Sequence, residues 1–521
     1  MEDCKQLHGR ILNTDARNNT IFAERLPDGR LFSVMSHERR GPDDQPGVAP
    51  PQSQYIFGRI SEDDGKTWGL PYCLFEWPNN EEFFIPAGFM FDRDGRLHFF
   101  AMRIQGFLKG RISYVRFDNY RGENPLFMDI QCLDRYTGSL NNLIEMESGR
   151  LMVPFSTYLP ELKCFVSNAI YSDDHGETWS ASNDITVFDE ETNCESGAVE
   201  PVVAEVEPGV LVMIIRTVLN CLWYATSKDG GATWTQAIPT RLPSCNAPAT
   251  LQKMPDGRIV ILWNDGLGYP YINVRYSLAR QCLHGAVSYD GLKTIKGVRM
   301  IQKKTNKDAD KIFNNYPSAA LSGDKNILMR SVEVFSASGS TWRECISVLS
   351  EFNPDFLDDT DVADNWNEWV CDHDKTEEGI VLTPTAEDIA HAIVNFPFGT
   401  AGKLMLKNEG ELPKNCRIML SNCYYDRMSF LPSAHNEKYD AVFNEQPFVT
   451  LTPDATGEWT VEWTADTVTL FVNGRAMQTV TKEAADGYNH FAVIFEGEGE
   501  LKLTHFAAHA EDTAWDTGIR Y

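Results

Sequence analysis

The sequence predicts an all-β protein, a six-bladed β-propeller followed by a C-terminal β-sandwich. An eight-residue turn, Ser-x-Asp-x-Gly-x-Thr-Trp, recurs as SEDDGKTW at 61–68, SDDHGETW at 172–179 and SKDGGATW at 227–234, with a worn copy, SYDGLKTI, at 288–295. Between the copies stand short apolar runs led in by a glycine turn, and almost no segment sustains a 3.6-residue period. Past residue 372 the rhythm changes to strict alternation closed by an Asn-Gly turn.

The repeat sets the first unit. The turn serines are Ser61, Ser172, Ser227 and Ser288, and the first interval is about twice the other two, so one unit between 68 and 172 has lost its turn. DGRLHFFAMR, SGRLMVPFST, PGVLVMIIRT and DGRIVILWND each read as a turn and a buried strand. A unit of roughly 50 residues with four short strands is the signature of a propeller blade. In the turn, Asp can accept from turn amides, Gly takes a left-handed backbone position and Trp packs into the blade. Those are scaffold tasks, which sets the turns away from any active centre. Units counted from about residue 15 to 355 give six blades, with a seventh open if blade lengths vary.

The expected division is therefore a propeller over 1–360, a linker over 361–372 and a sandwich over 373–521. The linker is read from the acidic, Asn-rich EFNPDFLDDTDVADNWNEWV, and the sandwich from GEWTVEWTADTVTLFVNGRAMQTV. Within the latter, VEWTADTVTLFVNGRAM resembles concanavalin-like or laminin-G-like jelly rolls, and glycan binding and support of the propeller are both open to it.

At 521 residues the chain exceeds one ordinary core. With 42% hydrophobic and 23% charged residues it is globular in composition, and its formal charge of −27 argues against nucleic acid or anionic membrane as partners. A small anionic ligand stays possible, because a few convergent arginines override the mean field at short range. The 12 cysteines show neither CxxC pairs nor metal-ligand spacing and read as reduced thiols. No basic region followed by an apolar core marks a leader near Met1, and no run is long and apolar enough to span a membrane. The expected location is cytoplasmic, or secreted if a leader was removed.

The repeated turn resembles the Asp box, or bacterial neuraminidase repeat, of sialidases. Asp boxes also occur in non-enzymatic propellers, so the segments between them carry the finer resemblance, over roughly 15–350. ESGAVEPVVAEVEPGVLVMIIRT is similar to the sialidase segment in which a Glu, here Glu200 before Pro201, precedes a strand ending in an arginine, here Arg216. CNAPATLQKMPDGRIVILWND and RQCLHGAVSYDG resemble the next blade, where Arg280 leads into the strand before the box. NNYPSAALSGDKNILMR is similar to the stretch with the nucleophilic tyrosine, here Tyr316, and RNNTIFAERLPDGRLFSVMSHERRG occupies the place of the first strand. Glu38 and Arg39 follow there as an acidic-basic pair, which adds Arg39 to the substrate-binding candidates.

The resemblance implies an exo-acting glycosidase for a terminal sialic acid or related acidic sugar, working with retention through a tyrosyl intermediate. Three arginines, Arg17, Arg216 and Arg280, would hold the sugar carboxylate by charge-assisted bonds. A neutral tyrosine hydroxyl avoids the repulsion that a carboxylate nucleophile would meet from that group, and Glu200 would take its proton. The acid/base is expected in the loop GPDDQPGVAPPQSQ, at Asp43 or Asp44, with Asp44 preferred. The usual Arg-Ile-Pro of the first strand is absent, and RNNT resembles an Arg-Asn-Ser-Glu-type variant of it, which is why Arg17 stands in that role. Pro317 stands where the family more often has Ser.

Each residue also has an ordinary structural reading. Strand-end arginines pair with neighbouring blades, Glu-Pro makes a turn, tyrosines pack, and aspartates in a Pro-rich loop are solvated. The order of Glu200, Arg216, Arg280 and Tyr316 over three successive blades favours the pocket. The alternatives are a sialidase-fold hydrolase for a uronic acid or deoxysugar and a non-catalytic glycan-binding propeller. No cofactor is expected. His37, His175 and His284 have no metal-ligand spacing, and the acidic turns GRISEDDG and FDRDGRL lack the full ligand pattern of a calcium loop. The partner expected is an oligosaccharide or glycoconjugate substrate.

Overall fold

The computed structural model describes residues 10–15, 19–39, 53–63, 65, 67–77, 82–104, 110–130, 137–140, 142–187, 197–219, 221–244, 247–264, 282–303, 314–322, 326–335, 339–348, 356–360, 368–370, 372–376, 379–384, 389–395, 400–421, 428–432, 439–443, 449–481, 490–511 and 514–521. Over 301–376 the description is of the backbone. All regular structure among these residues is β-strand.

After β1 (Arg10–Asp15), antiparallel sheets follow in chain order. Sheet one is β2 (Asn19–Arg25), β3 (Leu31–Arg39), β4 (Ser53–Ser61) and β5 (Tyr72–Trp77); sheet two is β6 (Phe83–Phe91), β7 (Leu97–Ile104), β8 (Gly110–Phe117) and β9 (Leu126–Asp129). Sheet three is β10 (Thr137–Leu140), β11 (Ile144–Glu145), β12 (Leu151–Leu159), β13 (Cys164–Ser172) and β14 (Ser180–Ala181). Sheet four is β15 (Val199–Glu207), β16 (Val210–Arg216), β17 (Cys221–Ser227) and β18 (Ile238–Pro243). Sheet five is β19 (Thr250–Lys253), β20 (Ile259–Trp263), β21 (Cys282–Ser288) and β22 (Thr294–Lys303). Sheet six runs β23 (Asn314–Ser322), β24 (Asn326–Phe335), β25 (Gly339–Val348) and then β1, with Arg10 opposite Ile346. The strand that comes first in the chain thus completes the last sheet, outside the span of about 15 to 355 in which units were counted.

The first strands lie against one another in order: β2 by β6, β6 by β10, β10 by β15, β15 by β19, β19 by β23, and β23 again by β2. Apolar side chains fill the seams between neighbouring sheets. Phe32, Phe75, Phe84 and Phe99 lie between sheets one and two, and Phe100, Tyr114, Val153 and Phe155 between two and three. Met152, Val203, Met213 and Trp234 lie between three and four, and Val202, Ile214, Ile261 and Trp263 between four and five. Each such side chain withdrawn from water contributes about 1.5–3 kcal/mol, so the seams fix how one sheet sits on the next.

The repeated turn joins the third and fourth strands of sheets one, three, four and five. At its first copy Ser61 Oγ accepts from Gly65 N (2.8 Å) and donates to Asp63 Oδ1 (2.9 Å), while Asp63 accepts from Thr67 N (2.8 Å) and the Thr67 hydroxyl (2.7 Å). The same four bonds recur in the other three copies, the worn one included. The lost copy belongs to sheet two, whose β8–β9 connection reads FDNYRGEN, and there Tyr120 packs against the seam. The glycine-led turns join first to second strands, with Gly29, Gly95, Gly149 and Gly257 at φ of 82° to 89°, a region open to glycine at no steric cost. Successive strands of each sheet run antiparallel, so both kinds of turn share one end of the sheets. The second-to-third connections and the starts of the first strands occupy the other end.

The rest of the chain forms β26 (Phe356–Thr360), β27 (Glu368–Val370), β28 (Asp372–Thr376), β29 (Gly379–Thr383), β30 (Ile389–Asn395), β31 (Ala401–Glu409), β32 (Arg417–Ser421), β33 (Met428–Pro432), β34 (Tyr439–Phe443), β35 (Val449–Leu451), β36 (Gly457–Trp463), β37 (Thr467–Val472), β38 (Arg475–Thr481), β39 (His490–Glu496), β40 (Leu501–Glu511) and β41 (Trp515–Asp516). One sheet holds β26, β28, β29, β40, β31, β36, β37 and β38, and a second holds β27, β30, β39, β32 and β35. Both contribute to one core: Leu404, Trp459, Val461 and Phe506 from the first, Ile418, Phe491 and Val493 from the second. The Asn-Gly signal is met by the β37–β38 hairpin, where Asn473 (φ 50°) and Gly474 (φ 77°) take the two positive-φ positions of a tight hairpin turn.

Strand pairing runs across the boundaries expected from the sequence. β26, inside the span read as 1–360, pairs with β40, and β27 and Asp372 of β28, inside the linker read as 361–372, belong to the later sheets. The physical reason is that these are short strands, two of them (FLDDT and DHDKT) rich in charge, and charge on a strand at a sheet edge looks like a linker in sequence. In the other direction, β41 leaves the later sheets and pairs with β22 of sheet five.

Candidate functional site

The end of the six sheets away from the repeated turns is where the described candidate residues fall. Arg39 is the last residue of β3 and exposed; Glu200 is the second residue of β15, and Arg216 the last of β16. Arg17 precedes β2, Asp43 and Asp44 lie between β3 and β4, and Arg280 precedes β21; all four lie outside the described residues. The described ends of their flanking strands are at this same end. Tyr316 is placed through its backbone, near the start of β23.

A shared irregularity links β15 and β23. Val199 pairs with Arg216 and Val202 with Ile214, so Glu200 and Pro201 together stand opposite Ile215. Asn315 pairs with Val332 and Ser318 with Arg330, so Tyr316 and Pro317 stand opposite Ser331. β2 carries a register shift between Thr20 and Ala23 near its own start. Such bulges re-aim a side chain, and a proline is tolerated there because the bulged residue donates nothing to the ladder. Glu200 adopts φ 49°, a left-handed conformation uncommon outside glycine. The bulge turns Glu200 onto Arg216: Arg216 Nη1 donates to Glu200 Oε2, with 14% and 8% of the two side chains exposed.

A second charged group at this end was not anticipated. Glu82, just before β6, accepts from Arg103 Nε (2.7 Å) and Arg111 Nη2 (2.8 Å), and Arg103 Nη1 also reaches Asp129 (2.7 Å). Burial by itself pushes the Glu82 carboxyl up, but Arg111 and Arg103 hold it below the usual carboxylate range. The Arg103 guanidinium lies 4.9 Å from the Trp77 ring centre, and Trp77 in turn stacks on Phe84 at 4.9 Å. Two cations and two anions balance here, so the group is charge-neutral as a whole. Its trace in the sequence is Arg103 and Arg111 flanking the β7–β8 connection, and nothing in that spacing shows that Glu82 meets both.

The FDRDGRL turn lies at the opposite end. Asp92 is buried and accepts from Asp94 N, Arg96 N, Arg96 Nη1 (3.0 Å) and His98 Nε2 (3.1 Å), while His98 Nδ1 meets the Tyr114 hydroxyl at 2.7 Å. Burial opposes charge on Asp92, yet these donors hold its carboxyl far below the usual range; burial lowers His98 against the pull of Asp92. Asp92, Asp94 and His175 form the one group of potential metal ligands among the described residues, with ligand atoms within 4.8 Å of one another. Asp92 is already engaged by the fold, and this trio lies at the end away from Glu200 and Arg216. His175, inside the second box, lends its carbonyl to Arg116 (2.8 Å).

Comparison with known proteins gives three kinds of result. Residues 137–329 match the family described as BNR repeat-like domain. A curated relative, the anhydrosialidase of Macrobdella decora, is 37% identical over 94 residues, which is 18% of this chain and 11% of the relative, so the chain matches about a tenth of that protein's length. Among solved structures, Trypanosoma rangeli sialidase in complex with sialic acid aligns over 99% of this chain and 96% of its own, at 11% identity and TM-score 0.43. The NanB sialidase of Streptococcus pneumoniae aligns over 66% and 71% at 14% identity and TM-score 0.47, and the intramolecular trans-sialidase of Ruminococcus gnavus over 67% and 98% at 12% and 0.48. The four boxes share one hydrogen-bond pattern, and residues 137–329, which hold three of them, are similar to the BNR repeat-like family.

Proposed function

We propose that the protein is a six-bladed propeller hydrolase with a C-terminal sandwich, removing a terminal α-linked sialic acid or related acidic sugar from a glycan with retention of configuration. The observation that carries this reading is the Glu200–Arg216 pair, set by a bulge at the end of the sheets where the strands flanking Arg17, Asp43, Asp44, Arg280 and Tyr316 also begin or finish. Arg17, Arg216 and Arg280 hold the sugar carboxylate, with Arg39 at the margin. The Tyr316 oxygen attacks the anomeric carbon while its proton passes to Glu200, and Asp44 or Asp43 protonates the departing oxygen. Water then attacks the tyrosyl-linked sugar, giving its proton to the same aspartate, and Tyr316 recovers its own from Glu200. Two inversions give net retention.

The test is hydrolysis of a fluorogenic aryl α-sialoside by wild type beside Tyr316→Phe. Release by wild type alone supports both the reaction and its nucleophile; equal release by both removes Tyr316 from the mechanism. The missing Arg-Ile-Pro favours a second reading, in which the same pocket takes a uronic acid or a deoxysugar. Binding of sialoside without release by folded wild type, unchanged on replacing Asp43 and Asp44 together with Asn, would instead mark a glycan-binding protein.

A further inference from the structure

The worn turn at 288–295 has lost two of the residues that define the others. Leu292 stands where Gly231 stands in the copy at 227–234, and Ile295 where Trp234 stands. Leu292 keeps the bond to the turn serine, its N–H donating to Ser288 Oγ at 2.7 Å, but holds φ 71° with a branched side chain that glycine would not have to accommodate. The missing indole matters more. Trp234 packs into the seam between sheets three and four, and Trp179 against the seam between two and three, so these two box tryptophans each seal their sheet to the one before. Ile295 lies in the corresponding seam between sheets four and five, with about half the apolar surface to offer.

Beside Trp263 of β20, that seam holds a second tryptophan, from the far end of the sequence. Trp515 is 5% exposed and belongs to the same apolar cluster as Ile295, and the two are direct register partners in the β22–β41 pair. The residues after it bind both sheets. Thr517 Oγ1 donates to the carbonyl of Leu292 (2.6 Å), the strained residue, and Thr517 N to that of Lys293 (3.1 Å). On the sheet-four side Arg241 N donates to Thr517 O (2.6 Å), Arg241 Nη1 to Asp516 (3.0 Å) and the Tyr224 hydroxyl to Gly518 O (3.2 Å). Ile519 is fully buried in the cluster.

We infer that residues 515–521 act as a lock on the seam between sheets four and five, with Trp515 supplying from the far end of the same chain an indole that the worn box has lost. The lock ties the later sheets to the repeat region at a second point, besides the chain connection before β26. The inference rests on packing and stands whether or not the protein cleaves a glycan.

The test is a rescue followed by amide exchange and urea unfolding of the full chain. Trp515→Ala is expected to lower the midpoint and to speed exchange in β21 and β22 by roughly a hundredfold or more, the size that a buried Trp→Ala cavity implies, while 172–179 stays protected. Adding Ile295→Trp to that variant restores the box tryptophan in its own place and is expected to recover most of the protection. Ile295→Trp alone adds a third indole beside Trp515 and Trp263 in that seam and lowers the midpoint. If Trp515→Ala does not fold, Trp515→Phe with and without Ile295→Trp makes the same comparison. Unchanged exchange in β21 and β22 on losing Trp515, or a loss that Ile295→Trp does nothing to repair, would overturn the inference.

Discussion

Replacing Arg216 with Met keeps most of the side-chain stem and removes the charge, which leaves the Glu200 carboxylate in a site where only 8% of its side chain meets water. Breaking a buried ion pair by removing one partner costs about 3–5 kcal/mol, because the remaining charge keeps little water and has lost a counter-ion. Arg216 keeps 14% of its side chain exposed, so the lower figure, about 3 kcal/mol, applies here. Against a total stability of about 5–15 kcal/mol that is a large fraction. Urea unfolding followed by tryptophan fluorescence reads it as a midpoint lower by roughly 1 M for a slope near 3 kcal/mol/M. The double variant Glu200→Gln/Arg216→Met removes both charges together and is expected to regain about 2 kcal/mol over Arg216→Met. Activity should separate from stability in this series, since the double variant refolds its site without the proton acceptor or the clamp and stays inactive. Arg216→Met within about 0.5 kcal/mol of wild type, or a double variant as unstable as the two singles summed, refutes the buried-pair reasoning.

Other expectations follow from the same geometry. Asp229→Ala removes the acceptor of the Thr233 amide (2.9 Å), the Thr233 hydroxyl (2.6 Å) and Ser227 Oγ (2.8 Å), and should cost about 1–2 kcal/mol in urea with turnover unchanged, because the box is at the end away from Glu200. His284 is fully buried, and burial pushes its imidazole down to about 3. The folded pKa is below the unfolded one, so this histidine's contribution is whole above about pH 6.5 and declines as pH falls toward 3, by up to about 1.4 kcal/mol per pH unit. His284→Gln should flatten the pH–stability curve between pH 6 and 4, measured by urea midpoints; an unaltered slope rules the assignment out. Treatment with EDTA should leave the thermal midpoint where it was, since Asp92 already has Arg96 and His98 as partners; a fall that Asp94→Asn abolishes would show that Asp92, Asp94 and His175 hold a structural ion.

The strand content and the repeat were legible because they are local. The Ser-x-Asp-x-Gly-x-Thr-Trp turn closes its hydrogen bonds within itself, so each copy announces its own shape, and Asn473-Gly474 announces a hairpin for the same reason. The candidate site was legible only in part. Glu200-Pro201 and Tyr316-Pro317 do mark bulges, each as a dipeptide whose proline a ladder would otherwise exclude. Glu82 with Arg103 and Arg111 left no such mark, because charged residues at strand ends look alike whether they are solvated or paired. The boundary near residue 360 was hidden by the charges of β26 and β28, which protect a sheet edge and imitate a linker.

What the sequence determined by itself is the set of contacts within about ten residues: where strands turn, which turns repeat, and which side chains are apolar enough to be buried. What only the tertiary structure decided is the pairing of parts far apart in the chain. β1 closing sheet six, Arg216 meeting Glu200 and Trp515 pairing with Ile295 all depend on which surfaces remain open after the local pieces have formed. No local energy specifies those partners, because burial is non-directional and an apolar strand or an indole fits wherever an unfilled seam is brought to it.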